Sequence, residues 1–163
     1  MPSFDLVSEI DKGELKNAVD QAQREIATRY DFKGSDCRLE LKNNDELEIE
    51  AANEYQVQAG IDILRSKMIK RGIGVKSLSV GDIKPTGSMR YKVNGNFVNG
   101  IDKDLGKKIN KFIKESGIKV TSAYLDEKIR ITGKKIDDLQ EIYKQLRSND
   151  DIGVDLQMQN MKS

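Results

Sequence analysis

Two hydrophobic periods alternate along this chain in a fixed order, and the order runs twice. Apolar residues recur at three and four in four stretches: Leu15, Ala18, Val19, Ala22, Ile26 and Tyr30; Val57, Ile61, Leu64 and Met68; Leu105, Ile109, Phe112 and Ile113; Ile136, Leu139, Tyr143 and Leu146. Charged residues fill the other faces, so each stretch predicts a helix that buries one stripe. Elsewhere apolar and polar residues alternate singly. This holds at Phe4 and Leu6, at Leu39 and Leu41, at Leu47, Ile49 and Ala51, and at Leu78 and Val80. It returns at Tyr91, Val93 and Phe97, at Val120 and Tyr124, at Ile129 and Ile131, and at Val154, Leu156 and Met158. Period two predicts strands of sheets with one buried and one wet face. The elements read βαββαβ and then βαββαβ again, the pattern of an α+β fold of two ferredoxin-like sandwiches. Short echoes sit at matching places. Ile10-Asp11-Lys12 and Ile101-Asp102-Lys103 each open a helix, and Ile73-Gly74-Val75 and Ile152-Gly153-Val154 each follow one. Together they predict an internal duplication.

The charge balance narrows the chemistry. Among 163 residues, 28 are Lys or Arg and 27 are Asp or Glu, with a net charge of +1 and no His. A strongly basic nucleic-acid arm and an acidic tail are both excluded. Without imidazole there is no Ser-His pair and no His-held metal. One Cys forms no internal disulfide and no thiolate zinc site, and it suits a reducing compartment. The first residues lack a basic-then-apolar leader pattern, and no apolar run approaches a membrane span of about 18 residues, so a cytoplasmic protein without membrane contact is expected. Gly81 to Met89 holds two Gly and Pro85, which makes it the expected linker.

Most motifs have plain structural readings. Gly81 to Ser88 lacks the Gly-Lys-Ser/Thr ending of a phosphate loop, and Gly72-Ile73-Gly74 lacks a third Gly; both read as turns. Asp11 and Asp102 read as helix N-caps. Asp5 and Glu9 read as solvated acids. Glu46, Glu48 and Glu50 line one wet strand face, expected to pair with Arg38 and Lys42. Cys37 continues the buried set of Leu39 and Leu41 and reads as an inert core thiol. The aromatics Phe4, Tyr91, Phe97 and Tyr124 fall on the apolar side of their strands, so the outward aromatics of an RNA-recognition sheet are missing. Basic residues carry the remaining chemistry. Arg65, Lys67, Lys70 and Arg71 close the second helix, and Lys103, Lys107, Lys111 and Lys114 form a stripe on the third, followed by Lys119, Lys128, Arg130 and Lys134. Either group is a candidate to hold phosphates.

Four segments in order, MPSFDLVSEID (1–11), NAVDQAQREIATRYDFKG (17–34), DILRSKMIKRGI (62–73) and IRITGKKIDDLQ (129–140), resemble the YajQ family of bacterial proteins. The resemblance implies two ferredoxin-like domains with exchanged N-terminal strands, one of residues 11–98 and one of residues 1–10 with 99–163. It implies a nucleotide-binding protein with no established enzyme activity and no cofactor. The implied ligand is cyclic di-GMP or GTP, and the implied role is to modulate a transcription-related protein partner. RNA is the alternative partner, bound by charge and shape. Arg29 with the DFKG stretch, Asp31 to Gly34, combines cations, an aromatic at Phe32 and a Gly that permits close backbone approach. The expected nucleotide-binding set is therefore Arg29, Phe32, Lys33, Arg65 and Arg71. The expected nucleic-acid or phosphate patch is Lys103, Lys107, Lys111, Arg130 and Lys134. The last residues depart from the family pattern, with Met158 and Met161 where members tend to carry aromatics.

Overall fold

The computed structural model describes residues 1–29, 32, 36–43 and 45–163. These residues divide into two compact units, one of Ile10–Val98 and one of Met1–Glu9 with Asn99–Ser163. The described elements comprise four α-helices and two sheets whose strand pairs are all antiparallel.

The first unit holds helices α1 (Lys12–Thr28) and α2 (Glu54–Lys70) and strands β2 (Arg38–Lys42), β3 (Glu46–Ala51), β4 (Leu78–Val80), β5 (Lys84–Pro85) and β6 (Tyr91–Phe97). The sheet runs β2-β3-β6-β4, with β5 on β6. Both helices start at side-chain caps: Asp11 accepts from the Glu14 N–H at 3.1 Å, and Asn53 from the Gln56 N–H at 2.8 Å. Their apolar stripes bury Leu15, Ala18, Ala22, Val57, Ile61 and Leu64 against Leu47, Ile49 and Val93 of the sheet. One sheet face is thereby covered and the other stays polar. Tyr30, expected in the stripe of α1, lies outside the described residues. Gly81 to Met89 is no linker. Lys84 and Pro85 pair with Lys92 and Tyr91, and the Thr86 N–H donates to the Arg90 carbonyl at 2.7 Å, so the stretch is a hairpin inside this unit.

The second unit holds β1 (Ser3–Val7), α3 (Lys103–Ser116), β7 (Val120–Leu125), β8 (Lys128–Gly133), α4 (Ile136–Ser148) and β9 (Gln157–Lys162), with the sheet in the order β7-β8-β1-β9. Phe4, Leu6, Ile109, Ile129, Ile131 and Leu139 form the centre of its core. Asp102 caps α3 as expected, accepting from the Leu105 N–H at 2.8 Å. The last strand begins at Gln157 rather than near Val154, and Val154 and Leu156 pack on the core from the preceding loop. Ile142, which the sequence pattern omitted from the stripe of α4, is fully buried.

Asp5 is not a solvated acid. It is only 6% exposed, because β1 is an internal strand and both neighbours send side chains over it. The Arg130 Nε donates to Oδ1 and the Asn160 Nδ2 to Oδ2, each at 3.0 Å. The Arg130 hydrogen bond holds the carboxyl below its ordinary value, against the opposing pull of burial, with help from Asn160. A depressed folded-state value means stability that is present above the unfolded value near pH 4 and lost as pH falls through the folded one. Asp5→Asn should cost about 1–3 kcal/mol at pH 7. The gap to the parent should close below about pH 4 in urea titrations; an equal gap at pH 3 and pH 7 would show that charge at Asp5 contributes nothing.

Gly106 marks a close approach of α3 to the sheet. A Cβ there would lie 2.7 Å from the Tyr124 ring. That ring is tethered, since its hydroxyl donates to the Ile101 carbonyl at 2.7 Å. Gly106→Ala should therefore destabilise by about 1–3 kcal/mol from overpacking, although alanine is the better helix former by about 1 kcal/mol. A higher melting temperature in the alanine variant would contradict this packing.

Candidate functional site

Helix α1 ends where Arg29 leaves helical geometry, at φ −72° and ψ 138°, while its N–H still donates to the Glu25 carbonyl at 2.9 Å. A cation there faces the negative end of the helix dipole. The Arg29 guanidinium lies 5.6 Å from the centroid of the Phe32 ring and 3.8 Å from Glu25. Glu25 also takes the largely buried Lys67 of α2 at 3.0 Å. On α2, Tyr55, Gln58, Ala59, Asp62 and Ser66 follow one another at helical spacing and share a face. That face and the end of α1 border an open concavity of about 370 Å³, lined by Glu25, Arg29, Tyr55, Gln58, Ala59, Asp62, Ile63 and Ser66.

The lining mixes three chemistries. Arg29 presents a planar fork of N–H donors, Tyr55 presents an aromatic ring that is 65% exposed, and Asp62, Gln58 and Ser66 present small polar groups. The Gln58 Nε2 donates to the Asp62 Oδ1 at 3.0 Å. Glu25 has its charge matched by Arg29 and Lys67, whereas Asp62 makes no ion pair among the described residues. Such a surface suits a flat, hydrogen-bonding ligand better than a bare phosphate.

Of the expected nucleotide-binding set, Arg29 alone among the described residues lines this cavity. Phe32 is buried at 3% exposure in the core of its unit, with Arg29 against its ring. Lys33 lies outside the described residues. Arg65 is half-buried on α2, outside the lining. Arg71 closes α2 and pairs with Glu14 at 3.6 Å, at the start of α1. The helices run antiparallel, so Arg71 is about 24 Å of helix away from Tyr55. Arg29 and Arg71 thus stand at opposite ends of the helix pair. Tyr55, Gln58 and Asp62 were missed, because on an exposed helix face they read as ordinary polar surface. Their spacing at three and four was the available signal.

The basic patch is divided too. Lys103, Lys107 and Lys111 are exposed along α3, and Lys134 is exposed just beyond β8. Arg130 stands on the opposite side of the sheet from the helices, engaged with Asp5. In the other sheet, Lys42 pairs with Glu48 at 2.8 Å as expected, and this bond holds Glu48 below its ordinary value. Arg38 instead takes Asp36 at 2.9 Å, and Glu50 goes to Arg90 at 3.0 Å. This polar face carries a second concavity of about 350 Å³ whose charged groups, Lys42, Glu46 and Glu48, include that pair. Cys37 is half-buried, with its thiol pushed up to about 11 by burial, which leaves it a weak nucleophile. Among the described residues no group of His, Cys, Asp and Glu is placed to hold a metal, and no helix is long and apolar enough to cross a membrane.

The concavity brings together a ring, a cation and an amide, the kind of mix that ligand-binding surfaces use. The sequence matches the family described as nucleotide-binding protein YajQ-like over residues 2–162, and the chain belongs to that family. It is 46% identical to a nucleotide-binding protein of Geotalea daltonii, over 99% of both chains. It is 48% identical to one of Thioalkalivibrio sulfidiphilus and 44% identical to one of Aeromonas hydrophila, again over 99% of each chain. These relatives are named for binding, not for a reaction.

Arg29→Ala should lower stability by about 1 kcal/mol, because its side chain is 40% exposed and its pair with Glu25 is screened by water. A loss of several kcal/mol in urea unfolding would make Arg29 a structural residue.

Proposed function

We propose that the cavity between α1 and α2 seats the nucleotide, and that the nucleotide is cyclic di-GMP or GTP. The protein is read as a cytoplasmic, non-enzymatic effector that modulates a transcription-related partner. The observation that carries this reading is the meeting of Arg29, Tyr55, Gln58 and Asp62 on one concavity. A guanidinium and a phenol ring supply stacking and cation contacts to a base or phosphate, and the amide and carboxylate supply edge recognition. Membership of a family described as nucleotide-binding supports it. With no His in the chain, the Tyr55 and Ser66 hydroxyls have no imidazole base beside them, which favours binding over turnover.

Each unit is read as a ferredoxin-like sandwich, residues 11–98 and residues 1–10 with 99–163, with first strands exchanged. The matching strand orders support this: β1 lies beside the β7-β8 hairpin in one sheet, and β6 lies beside the β2-β3 hairpin in the other.

Isothermal titration with cyclic di-GMP and GTP tests the site. Arg29→Ala should weaken binding about tenfold or more, the value of one charge-assisted contact, with the fold intact. Unchanged affinity in that variant would move the nucleotide elsewhere. A second reading, RNA held by charge and shape, is favoured by the exposed row of Lys103, Lys107 and Lys111 on α3. It expects Lys107→Glu with Lys111→Glu to weaken RNA binding and flatten its salt dependence by about two phosphate contacts. RNA affinity that ignores both reversals would end that reading.

A further inference from the structure

We infer that the open edge of β7 pairs with β7 of a second copy of this chain, antiparallel about a two-fold axis at Ala123. Strand β7 ends the order β7-β8-β1-β9, so one side of it has no strand partner among the described residues. Asp126 and Glu127, left-handed at φ 54° and 63°, form a two-residue turn that makes Leu125 and Lys128 a hydrogen-bonded pair. Alternation then turns the backbone groups of Thr121, Ala123 and Leu125 toward β8. It turns the N–H and C=O groups of Ser122 and Tyr124 outward, where they can template another strand.

The other sheet edges carry features that discourage pairing. Strand β2 alternates Arg38, Glu40 and Lys42 with its apolar residues. Strands β4 and β5 are three and two residues long, and β5 contains Pro85. In β9, Asn160 is left-handed at φ 54°, and the register against β1 shifts. Strand β7, Val120–Leu125, has no charge, no Pro and no register shift against β8. The edge also fits itself. Opposed residues of antiparallel strands share a face, so a two-fold axis passes through one residue. An axis at Thr121 or Ser122 would call on the Val120 N–H, already given to the Ile118 carbonyl at 2.8 Å. An axis at Tyr124 or Leu125 would run into the Asp126-Glu127 turn. An axis at Ala123 sets Ser122 against Tyr124 and satisfies every outward N–H and C=O of both residues. Thr121 then faces Leu125, and the exposed Lys119 of each copy comes beside the exposed Glu127 of the other. The second copy supplies this complement by symmetry, which commits the edge to it.

One strand edge buries less than the roughly 1,200 Å² of stable complexes, so pairing belongs at micromolar or higher concentration. Sedimentation velocity of the full chain from about 1 to about 500 µM should show a reversible monomer–dimer equilibrium. Ala123→Glu opposes two carboxylates on the axis and should weaken the dimer about fivefold, with the circular dichroism unchanged. In a Cys37→Ser background, mild oxidation should crosslink Ala123→Cys, because directly opposed Cα atoms lie about 4.5–5.5 Å apart. It should spare Thr121→Cys, roughly 14 Å from its own copy. A parent that stays monomeric throughout would overturn the inference and leave the edge to an extended segment of another protein. A dimer that ignores Ala123→Glu, or that crosslinks equally at Thr121 and Ala123, would overturn it as well.

Discussion

Each helix of this chain has one apolar stripe to hide, and one face of an antiparallel sheet is what hides it. In the unit of Ile10–Val98 that constraint places α1 and α2 side by side and antiparallel over Leu47, Ile49 and Val93. The end of α1 then falls against the first half of α2, so Arg29 meets Tyr55, Gln58 and Asp62. Burial of the stripe on the inner side thus arranges the polar groups on the outer side. Lys67 secures the arrangement, since its largely buried side chain reaches Glu25 on the neighbouring helix at 3.0 Å.

The periodic parts of the fold were legible because they report burial directly. Phe4, Leu6, Ile109, Ile129, Ile131 and Leu139 all lie in one core, and the aromatics Phe97 and Phe4 face inward as alternation demands. Both acidic caps were legible for the same local reason, an oxygen acceptor one residue before the first turn. What period two does not tell is which strands lie inside a sheet. Asp5 therefore read as wet, and it is buried because β8 and β9 flank β1. The Gly81 to Met89 stretch failed similarly. Gly and Pro mark a turn without saying whether it joins units or folds a hairpin within one.

The candidate site was legible only in part. Arg29 stood out because it adjoins a stretch rich in ligand-binding chemistry, and it does line the cavity. Counting cations, however, grouped it with Arg65, which lies outside the lining, and with Arg71, which pairs with Glu14 at the start of α1. The same counting joined Arg130 to the lysines of α3, although Arg130 serves Asp5 on the other side of its sheet. Charge in sequence is additive, whereas charge in a fold is assigned to faces.

Mapping backbone amide shifts of the intact protein during titration with cyclic di-GMP or GTP would locate the ligand without any mutation. A nucleotide seated between α1 and α2 should perturb Arg29, Tyr55, Gln58, Asp62 and Ser66 first and together, saturating on one binding curve. Shifts concentrated on α3, or on the polar sheet face around Lys42, Glu48 and Asn96, with the helix-pair cavity silent, would contradict the site proposed for this family member.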